Sequence, residues 1–221
     1  VAVWDRLDKD LDRQPAKPTM DGEPLYEDHP VSFNAADNGY SVDADIRKFA
    51  YWNLLAGAHG HTYGHHSVWQ MYAPGRKPIN GPTMYWFDAI TRPGAEQMQW
   101  ARALMESRPM LSRVPDPGLL VSQPRSNASH ISAARGDGYA FFYSAEGRKI
   151  VVSMGKISGD KVKAWWVNPR TGRAEDAGTF DNKGTSTFTC PSQGWNSDWV
   201  LVLDDVSKNY PPPGIVAAAK K

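Results

Sequence analysis

The pattern of apolar and polar positions changes character once along this chain, near residue 110. Before that point, two stretches have apolar residues at helical spacing. The first follows a polar cap at Ser41 or Asp43 and ends at Gly57, with apolar positions at Ile46, Phe49, Ala50 and Leu54. The second runs from about residue 94 to residue 107 and must stop there, because Pro109 disfavours helix at the residue before it.

Two shorter runs before residue 110 have strand character. Residues 18–21 form an apolar–polar run that stops at Gly22, and residues 58–63 alternate at period two. Each run precedes one of the predicted helices, and a long loop over residues 67–88 separates the second run from its helix. The first part of the chain therefore predicts two β/α units.

The second part of the chain has only short β-rich runs. After a proline-rich stretch at 109–118, predicted to be a surface linker, such runs occur at 139–143, 150–154, 162–167, 185–188 and 200–203, with turn signals between them. This spacing predicts an antiparallel β-sandwich over residues 111–206. The last residues, 207–221, contain three consecutive prolines and an Ala/Lys-rich end, and are predicted to be a disordered tail.

Two β/α units cannot bury their own apolar faces. A complete (β/α)₈ barrel typically needs ~250 residues, whereas about 110 precede the predicted sandwich. We therefore expect residues 1–110 to be the C-terminal portion of a (β/α)₈ TIM barrel, and the sequence to be a fragment of a longer chain. The predicted fold class is α/β plus all-β.

Composition narrows the function classes. Lys and Arg number 25 against 24 Asp and Glu, and no basic face is visible, so we expect binding neither to nucleic acid nor to a membrane. No apolar run reaches membrane-spanning length, and Cys190 has no second cysteine to pair with. Nine Trp and nine Tyr at almost neutral charge suit a carbohydrate-facing surface, but also an ordinary sandwich core.

Chemistry-bearing residues follow both predicted strands. Pro24 cannot pair in a strand, so Glu23 is expected at the exit of the run at 18–21. Barrel folds place their active sites at the carboxyl ends of their strands. The exit of the second run, within residues 56–66, is rich in histidine and is expected to line the same pocket.

Several motifs resemble one family. Residues 21–27 (DGEPLYE), 45–52 (DIRKFAYW) and 56–64 (AGAHGHTYG) resemble the apiosidase-like glycoside hydrolases of bacteria. Residues 138–141, 164–172 and 198–201 are similar to the sandwich that follows that family's barrel, which is labelled a collagen-binding domain of a collagenase. The first six β/α units of the family's barrel are absent from the sequence. The resemblance implies a retaining glycosidase that acts on plant cell-wall polysaccharide, with apiose side chains of pectin as the best-known substrate, in a periplasmic or secreted protein.

The resemblance also implies catalytic roles. Retaining glycosidases use two carboxyl groups ~5–5.5 Å apart, one as nucleophile and one as acid/base. In barrels of this kind the nucleophile lies at the seventh strand's exit, which here implies Glu23, and the acid/base lies in the missing N-terminal part. The chain alone is thus expected to be inactive. Glu27 is expected to orient a neighbouring Arg or Tyr, and an exchange of roles between Glu23 and Glu27 is the alternative.

Five further residues are predicted to bind substrate: Tyr26, His61, Tyr63, His65 and Trp69. His61 and Tyr63 are expected to hydrogen-bond sugar hydroxyls or the nucleophile. The indole of Trp69 either stacks on a sugar or packs within its loop. The histidine cluster lacks cysteines or a zinc-binding helix motif, so we expect no metal and no cofactor.

Three classes of function stay open at this point. The first is the glycosidase on an oligo- or polysaccharide. The second is a binding module, in which the sandwich holds carbohydrate or collagen. The third is a sandwich that only seats the barrel. Trp165 and Trp166 must face opposite ways on a strand, so one belongs to the core and the other is a binding platform or packs on the barrel.

Overall fold

The computed structural model describes residues 2–122 and 127–215. Its first half is built from helices and extended loops. The helices are α1 Val3–Leu11, α2 Ala35–Asn38, α3 Asp43–Leu55, α4 His66–Trp69, α5 Trp86–Ala89 and α6 Pro93–Glu106. The two predicted helices are confirmed as α3 and α6, whereas α1 was not predicted.

Local sequence explains where the two long helices begin and end. In α3 the Asp45 side chain accepts a hydrogen bond from the Val42 N–H at 3.1 Å, which satisfies a free donor at the helix start. Pro93 begins α6, at a position where its missing N–H costs nothing. The helix ends at Glu106, three residues before Pro109.

The runs at 18–21 and 58–63 are not regular strands, which corrects the prediction. The longer segments 19–27 and 59–65 nevertheless lie parallel to each other. The His59 N–H donates to the Thr19 carbonyl at 3.0 Å, and Glu27 forms a parallel bridge with His65. Thr19 and Glu27 are eight residues apart, but His59 and His65 are only six, so the first segment must loop out between its two contacts. Pro24 lies within that loop and has no N–H to donate.

The second half contains eight strands among the described residues. They are β1 Val114–Pro115, β2 Ile131–Gly136, β3 Tyr139–Ser144, β4 Ile150–Ser153, β5 Lys161–Val167, β6 Ala174–Asp181, β7 Thr185–Phe188 and β8 Trp199–Asp205. A six-stranded antiparallel sheet has the order β1-β2-β3-β8-β5-β6, and β4 pairs with β7 in a second sheet. The predicted sandwich is confirmed as a sandwich-like arrangement. Within the predicted linker, Val114 and Pro115 pair with β2 instead of forming a free surface segment.

The central strands of the large sheet are buried on both faces. One face meets β4 and β7 in a core that contains Phe142, Trp166 and Leu201. The other face packs Phe141 and Val202 against the helical half, in a core shared with α3 and α6. Burial on both faces explains why β8 is an almost continuous apolar run. Trp165 lies on the helical side, so it packs on the first half of the chain.

A buried ion-pair network joins the two halves. Arg47 of α3 is fully buried, and its Nε and Nη2 donate to the two carboxylate oxygens of Asp198, each at 3.0 Å. Its Nη1 donates to Asp43 and to Gln97, each at 2.6 Å. Asp198 also accepts from Arg170 at 2.8 Å. Each buried charge therefore has several partners, which offsets the cost of removing it from water.

The first part of the predicted disordered tail is ordered. Tyr210 donates to the Asp137 carbonyl at 2.7 Å, and Arg108 donates to the Pro211 carbonyl at 3.0 Å. Arg108 itself pairs with the buried Asp204 and lies 4.8 Å from the centre of the Tyr210 ring. The sequence predicts a disordered tail over 207–221, whereas Tyr210 and Pro211 make these contacts with the rest of the chain. Residues 216–221 lie outside the described residues.

Replacing Arg47 with alanine should remove the two hydrogen bonds that α3 donates to Asp198. The buried Asp198 charge would then lack part of its stabilisation. We expect the free energy of unfolding in urea to fall by about 3–5 kcal/mol. The matched control is Arg102→Ala, which removes an exposed pair with Glu106 and should cost less than about 1 kcal/mol. Equal losses for the two variants would contradict a structural role for the buried network.

Candidate functional site

The Glu27 carboxylate lies at the start of α6 and is fully buried. Its Oε2 accepts a hydrogen bond from the Tyr63 hydroxyl at 2.6 Å, and its Oε1 accepts one from the Gly94 N–H at 3.2 Å. Nε of Arg92 lies 3.9 Å from Oε1. The helix N-terminus adds a favourable partial positive charge. Burial raises the pKa of Glu27, and these three partners lower it only in part.

The absence of a side chain at Gly94 makes this position possible. A β-carbon at residue 94 would lie 2.4 Å from Oε2 of Glu27, which is far inside van der Waals contact. Any larger residue would therefore displace the carboxylate from the helix start. Gly94 is thus required by the close approach of the Glu27 side chain.

Asp28 forms a second buried carboxylate next to the first. Arg92 contacts it through Nε at 2.8 Å and through Nη2 at 3.2 Å, and Nε2 of His65 lies 3.0 Å from its Oδ2. Nδ1 of His65 accepts the Ser67 N–H, so the proton of a neutral His65 ring must be on Nε2, facing Asp28. Burial alone would raise the pKa of Asp28, but the His65 hydrogen bond and the Arg92 charge outweigh it and lower the pKa.

Glu23 differs from these two acids because it is exposed. Its Oε1 accepts the Tyr26 hydroxyl at 3.5 Å, and its own N–H donates to Asp21 at 3.2 Å. The Tyr26 ring lies against Gly64, where a β-carbon would lie 2.5 Å from the ring. Burial, together with the Glu23 carboxylate, raises the pKa of Tyr26. The loop thus presents a solvent-accessible carboxylate supported by one tyrosine.

His61 lies in a different environment from the other site residues. It lines a cavity of about 270 Å³ between the 58–65 segment and helices α3 and α6, with Met98 and Met105 on the opposite wall. Neither of its ring nitrogens has a partner among the described residues. Burial lowers the pKa of His61 to about 4, although Asp21 acts in the opposite direction. His61 is therefore a neutral imidazole at neutral pH.

Trp69 is an exposed aromatic residue of this region, with 49% of its surface accessible. Its Nε1 donates to Nδ1 of His66 at 3.3 Å, and Nε2 of His66 faces the Asn80 carbonyl at 3.1 Å. His66 is buried, so the indole is fixed at one edge while its face stays open. Such an aromatic face can stack on the apolar face of a sugar ring.

The structure brings Glu27, Tyr63 and His65 together in one buried cluster with two residues that the sequence analysis did not single out. These are Asp28 and Arg92, which is 64 residues from its partner. A signal existed for this site: Gly94 follows Pro93 in the first turn of a helix, where glycine is unfavourable unless something approaches closely. The sequence predicts that Glu27 orients a neighbouring Arg or Tyr; in the structure Tyr63 donates to its carboxylate and Arg92 lies 3.9 Å from it.

Two further findings concern metal-binding groups and membrane-spanning helices. Across residues 2–122 and 127–215, no three His, Cys, Asp or Glu side chains are grouped so that they could hold a metal ion. In the same part of the chain, no helix combines the length and apolarity needed to cross a membrane.

Gly94→Ala should disturb the Glu27 cluster. Alanine normally stabilises a helix relative to glycine, but here its β-carbon would displace the Glu27 carboxylate. We expect the free energy of unfolding to fall by about 1–3 kcal/mol. Gly60→Ala is the matched control, since a β-carbon there has no neighbour within 4 Å. A Gly94→Ala variant as stable as wild type would show that the carboxylate does not need this space.

His61 should make the protein less stable in acid. Its pKa is about 4 in the folded chain and 6.5 in an ordinary environment, so the unfolded state binds its proton more tightly between these values. Acidification from pH 7 to pH 4 should therefore cost wild type about 1–3 kcal/mol more than His61→Gln in urea unfolding. Identical pH profiles for wild type and His61→Gln would refute the buried neutral histidine.

Comparison with known proteins gives two family matches. Residues 1–112, more than half of the 221-residue chain, match the model described as "Apiosidase-like, catalytic domain". Residues 114–204 match the model described as "Putative collagen-binding domain of a collagenase". No curated protein matches the sequence.

Two solved structures are similar over nearly the whole chain. One, named glycoside hydrolase, is 37% identical with a TM-score of 0.90 over 94% of this chain. The other, a glycoside hydrolase family 5 protein from Bacteroides vulgatus, is 32% identical with a TM-score of 0.89 over 97% of this chain. The chain spans 47% of the length of each. The chain therefore belongs to the apiosidase-like family of glycoside hydrolases.

Proposed function

We propose that this chain supplies the nucleophile half of a retaining glycoside hydrolase that acts on plant cell-wall polysaccharide. In this proposal residues 1–110 are the last two units of a (β/α)₈ barrel, and the acid/base belongs to upstream sequence. Two observations support it: the parallel contact between Glu27 and His65, with a helix after each segment, and the half-length match to two glycoside hydrolases. The family resemblance adds a periplasmic or secreted location.

The difference in exposure between Glu23 and Glu27 supports Glu23 as the nucleophile. A nucleophile must reach the anomeric carbon of a bound sugar, which requires a free carboxylate oxygen. Glu27 is fully buried, and each of its two oxygens accepts a hydrogen bond from the protein. Glu23 is exposed and has one weak side-chain contact, from Tyr26. This observation carries the assignment.

The proposed chemistry follows from these positions. Glu23 attacks the anomeric carbon while the acid/base protonates the leaving oxygen, which gives a covalent glycosyl-enzyme and a free alcohol. Water, deprotonated by the same acid/base, then hydrolyses the ester and releases the sugar with retained configuration. The Tyr26 hydroxyl donates to Glu23 and so orients the attacking carboxylate.

The buried cluster then has a positioning role. Tyr63 and His65 hold Glu27 and Asp28, which end the loop that begins at Glu23, so their mutual contacts fix the geometry of that loop. Tyr26 and Trp69 keep accessible surface and are proposed to meet the sugar directly. Direct contact between His61 and the sugar stays a prediction.

The sandwich is proposed to seat the barrel. Its large sheet shares a core with α3 and α6, and Tyr51 stacks on Tyr143 with ring centres 4.8 Å apart. A module that acts alone would not need an apolar outer face on its sheet. The shared core therefore supports a scaffold role over an independent collagen-binding unit.

Glu23→Gln should abolish turnover and retain substrate binding when tested in a chain that includes the upstream barrel sequence. The amide keeps the shape of the side chain but cannot attack, so kcat should fall by at least about 10⁴-fold. The chain without upstream sequence should show no turnover. The readout is release of reducing sugar from pectic polysaccharide, with binding measured separately by calorimetry.

Glu27→Gln is the comparison variant. As a positioning residue, Glu27 should affect turnover less than Glu23, and its loss should also lower thermal stability. Full inactivation by Glu27→Gln with normal stability, together with near-normal turnover in Glu23→Gln, would assign the nucleophile to Glu27 instead.

A further inference from the structure

A cleft that is separate from the Glu23 loop lies where the two halves of the chain meet. It has a volume of about 480 Å³ and lies between the first turns of α3 and two loops of the sandwich, near Glu146 and Trp195. None of the residues proposed to act in catalysis lines it. The proposed glycosidase reaction leaves this cleft without a role.

The most unusual residue of the cleft is Trp195, with 75% of its surface accessible. Its loop is nevertheless held firmly on both sides. The Gly194 N–H donates to the Glu146 carbonyl at 3.0 Å, and the Asn196 carbonyl accepts from Arg170 at 3.0 Å. The Asn196 side chain also accepts from the buried Arg47. The chain therefore presents a large apolar ring to solvent from a fixed position, which is the arrangement of a preorganised binding platform.

Each charged residue on the cleft walls is paired. Lys48 pairs with Asp45 at 2.9 Å, and Arg148 pairs with Glu146 at 2.7 Å. A third anion on the walls, Asp198, is paired with two arginines outside the lining. Paired charges select neither an anionic nor a cationic ligand. They do offer hydrogen-bond donors and acceptors close to an aromatic face. A neutral sugar needs both, because its ring has apolar C–H faces and a rim of hydroxyls.

We propose that this cleft is a second carbohydrate-binding site, which holds a neutral oligosaccharide against Trp195. The cleft opens at the N-terminal end of α3, and the segment just before α3 is tied to the candidate site, where the Asp28 N–H donates to the Ser41 carbonyl at 3.0 Å. The site therefore lies at the same end of α3 as the Glu23 loop. A polysaccharide bound there is kept near the enzyme between cleavage events.

Collagen is the other ligand that the matched sandwich family suggests. A collagen triple helix is a rod with a convex surface of Pro-rich chains. Such a rod could touch the Trp195 ring but could not occupy the concave space beneath it. The cleft shape and its paired hydrogen-bonding groups favour a single saccharide chain.

Isothermal titration calorimetry on this chain tests the proposal without any need for turnover. The probes are cellohexaose, xylohexaose and mannohexaose, with a triple-helical Gly-Pro-Hyp peptide as the collagen probe. Trp195→Ala is the test variant, and Phe33→Ala is the matched control, at an aromatic ring with similar exposure and no proposed role in binding. Thermal unfolding checks that each variant is folded. We expect little change in stability, since a ring that is largely exposed contributes little to the core.

We expect at least one hexasaccharide to bind, with Kd raised about tenfold or more by Trp195→Ala and changed less than about twofold by Phe33→Ala. Absence of binding by all three hexasaccharides would overturn the proposal. So would hexasaccharide binding that Trp195→Ala leaves unchanged, or peptide binding that Trp195→Ala removes. Because Glu23→Gln leaves this cleft intact, its binding should equal wild type even if the proposed glycosidase reaction is wrong.

Discussion

Burial of the Glu27 carboxylate is the constraint on which the candidate site depends. An ionised carboxylate away from water needs several hydrogen bonds, and here they come from Tyr63 and the amide of Gly94. Those two partners belong to different parts of the chain, so one side chain fixes the second extended segment relative to helix α6. The exposed loop that ends at Glu27 is held in place by the same contacts. The buried Glu27 side chain therefore fixes the loop that carries Glu23.

A second buried charge, Arg47, links the two halves of the chain. Arg47 reaches from α3 to Asp198, at the start of the last strand, while the sheet behind it is apolar on both faces. The sandwich thus has no separate surface to present on its helical side. This arrangement explains how the helical half and the sandwich share a core, and why the Trp195 loop, next to Asn196 and Asp198, is tied to α3.

Much of the fold follows from local sequence. Pro93 and Pro109 bracket α6, and the helical spacing of the apolar residues marks α3, so both helices could be predicted. The cap itself was misassigned to Ser41 or Asp43, since the N-cap residue is Val42. The short β-rich runs likewise predicted five of the eight strands among the described residues. Strand β6 was missed because none of its residues is buried, so it has no apolar pattern. The contact between Pro211 and Arg108 could not be predicted, because the two residues are about a hundred positions apart.

The candidate site could be predicted only in part, for a related reason. The DGEPLYE motif identified Glu23 and Glu27 as the acids to compare, but residue type alone could not show which one is buried. The burial of Glu27 depends on Gly94 and Arg92, which lie at the start of helix α6. Likewise, the histidine-rich run could not show that His59 is exposed with Nδ1 2.9 Å from the Thr19 carbonyl, whereas neither ring nitrogen of His61 has a partner among the described residues.

Covalent trapping tests the central assignment most directly. A 2-deoxy-2-fluoro glycoside of the sugar that the complete enzyme cleaves should accumulate as a glycosyl ester on the nucleophile, because fluorine slows hydrolysis of the intermediate. Peptide mass spectrometry can then distinguish Glu23 from Glu27. We expect the label on Glu23, the exposed acid. A label on Glu27, or on an acid outside this chain, would contradict the account.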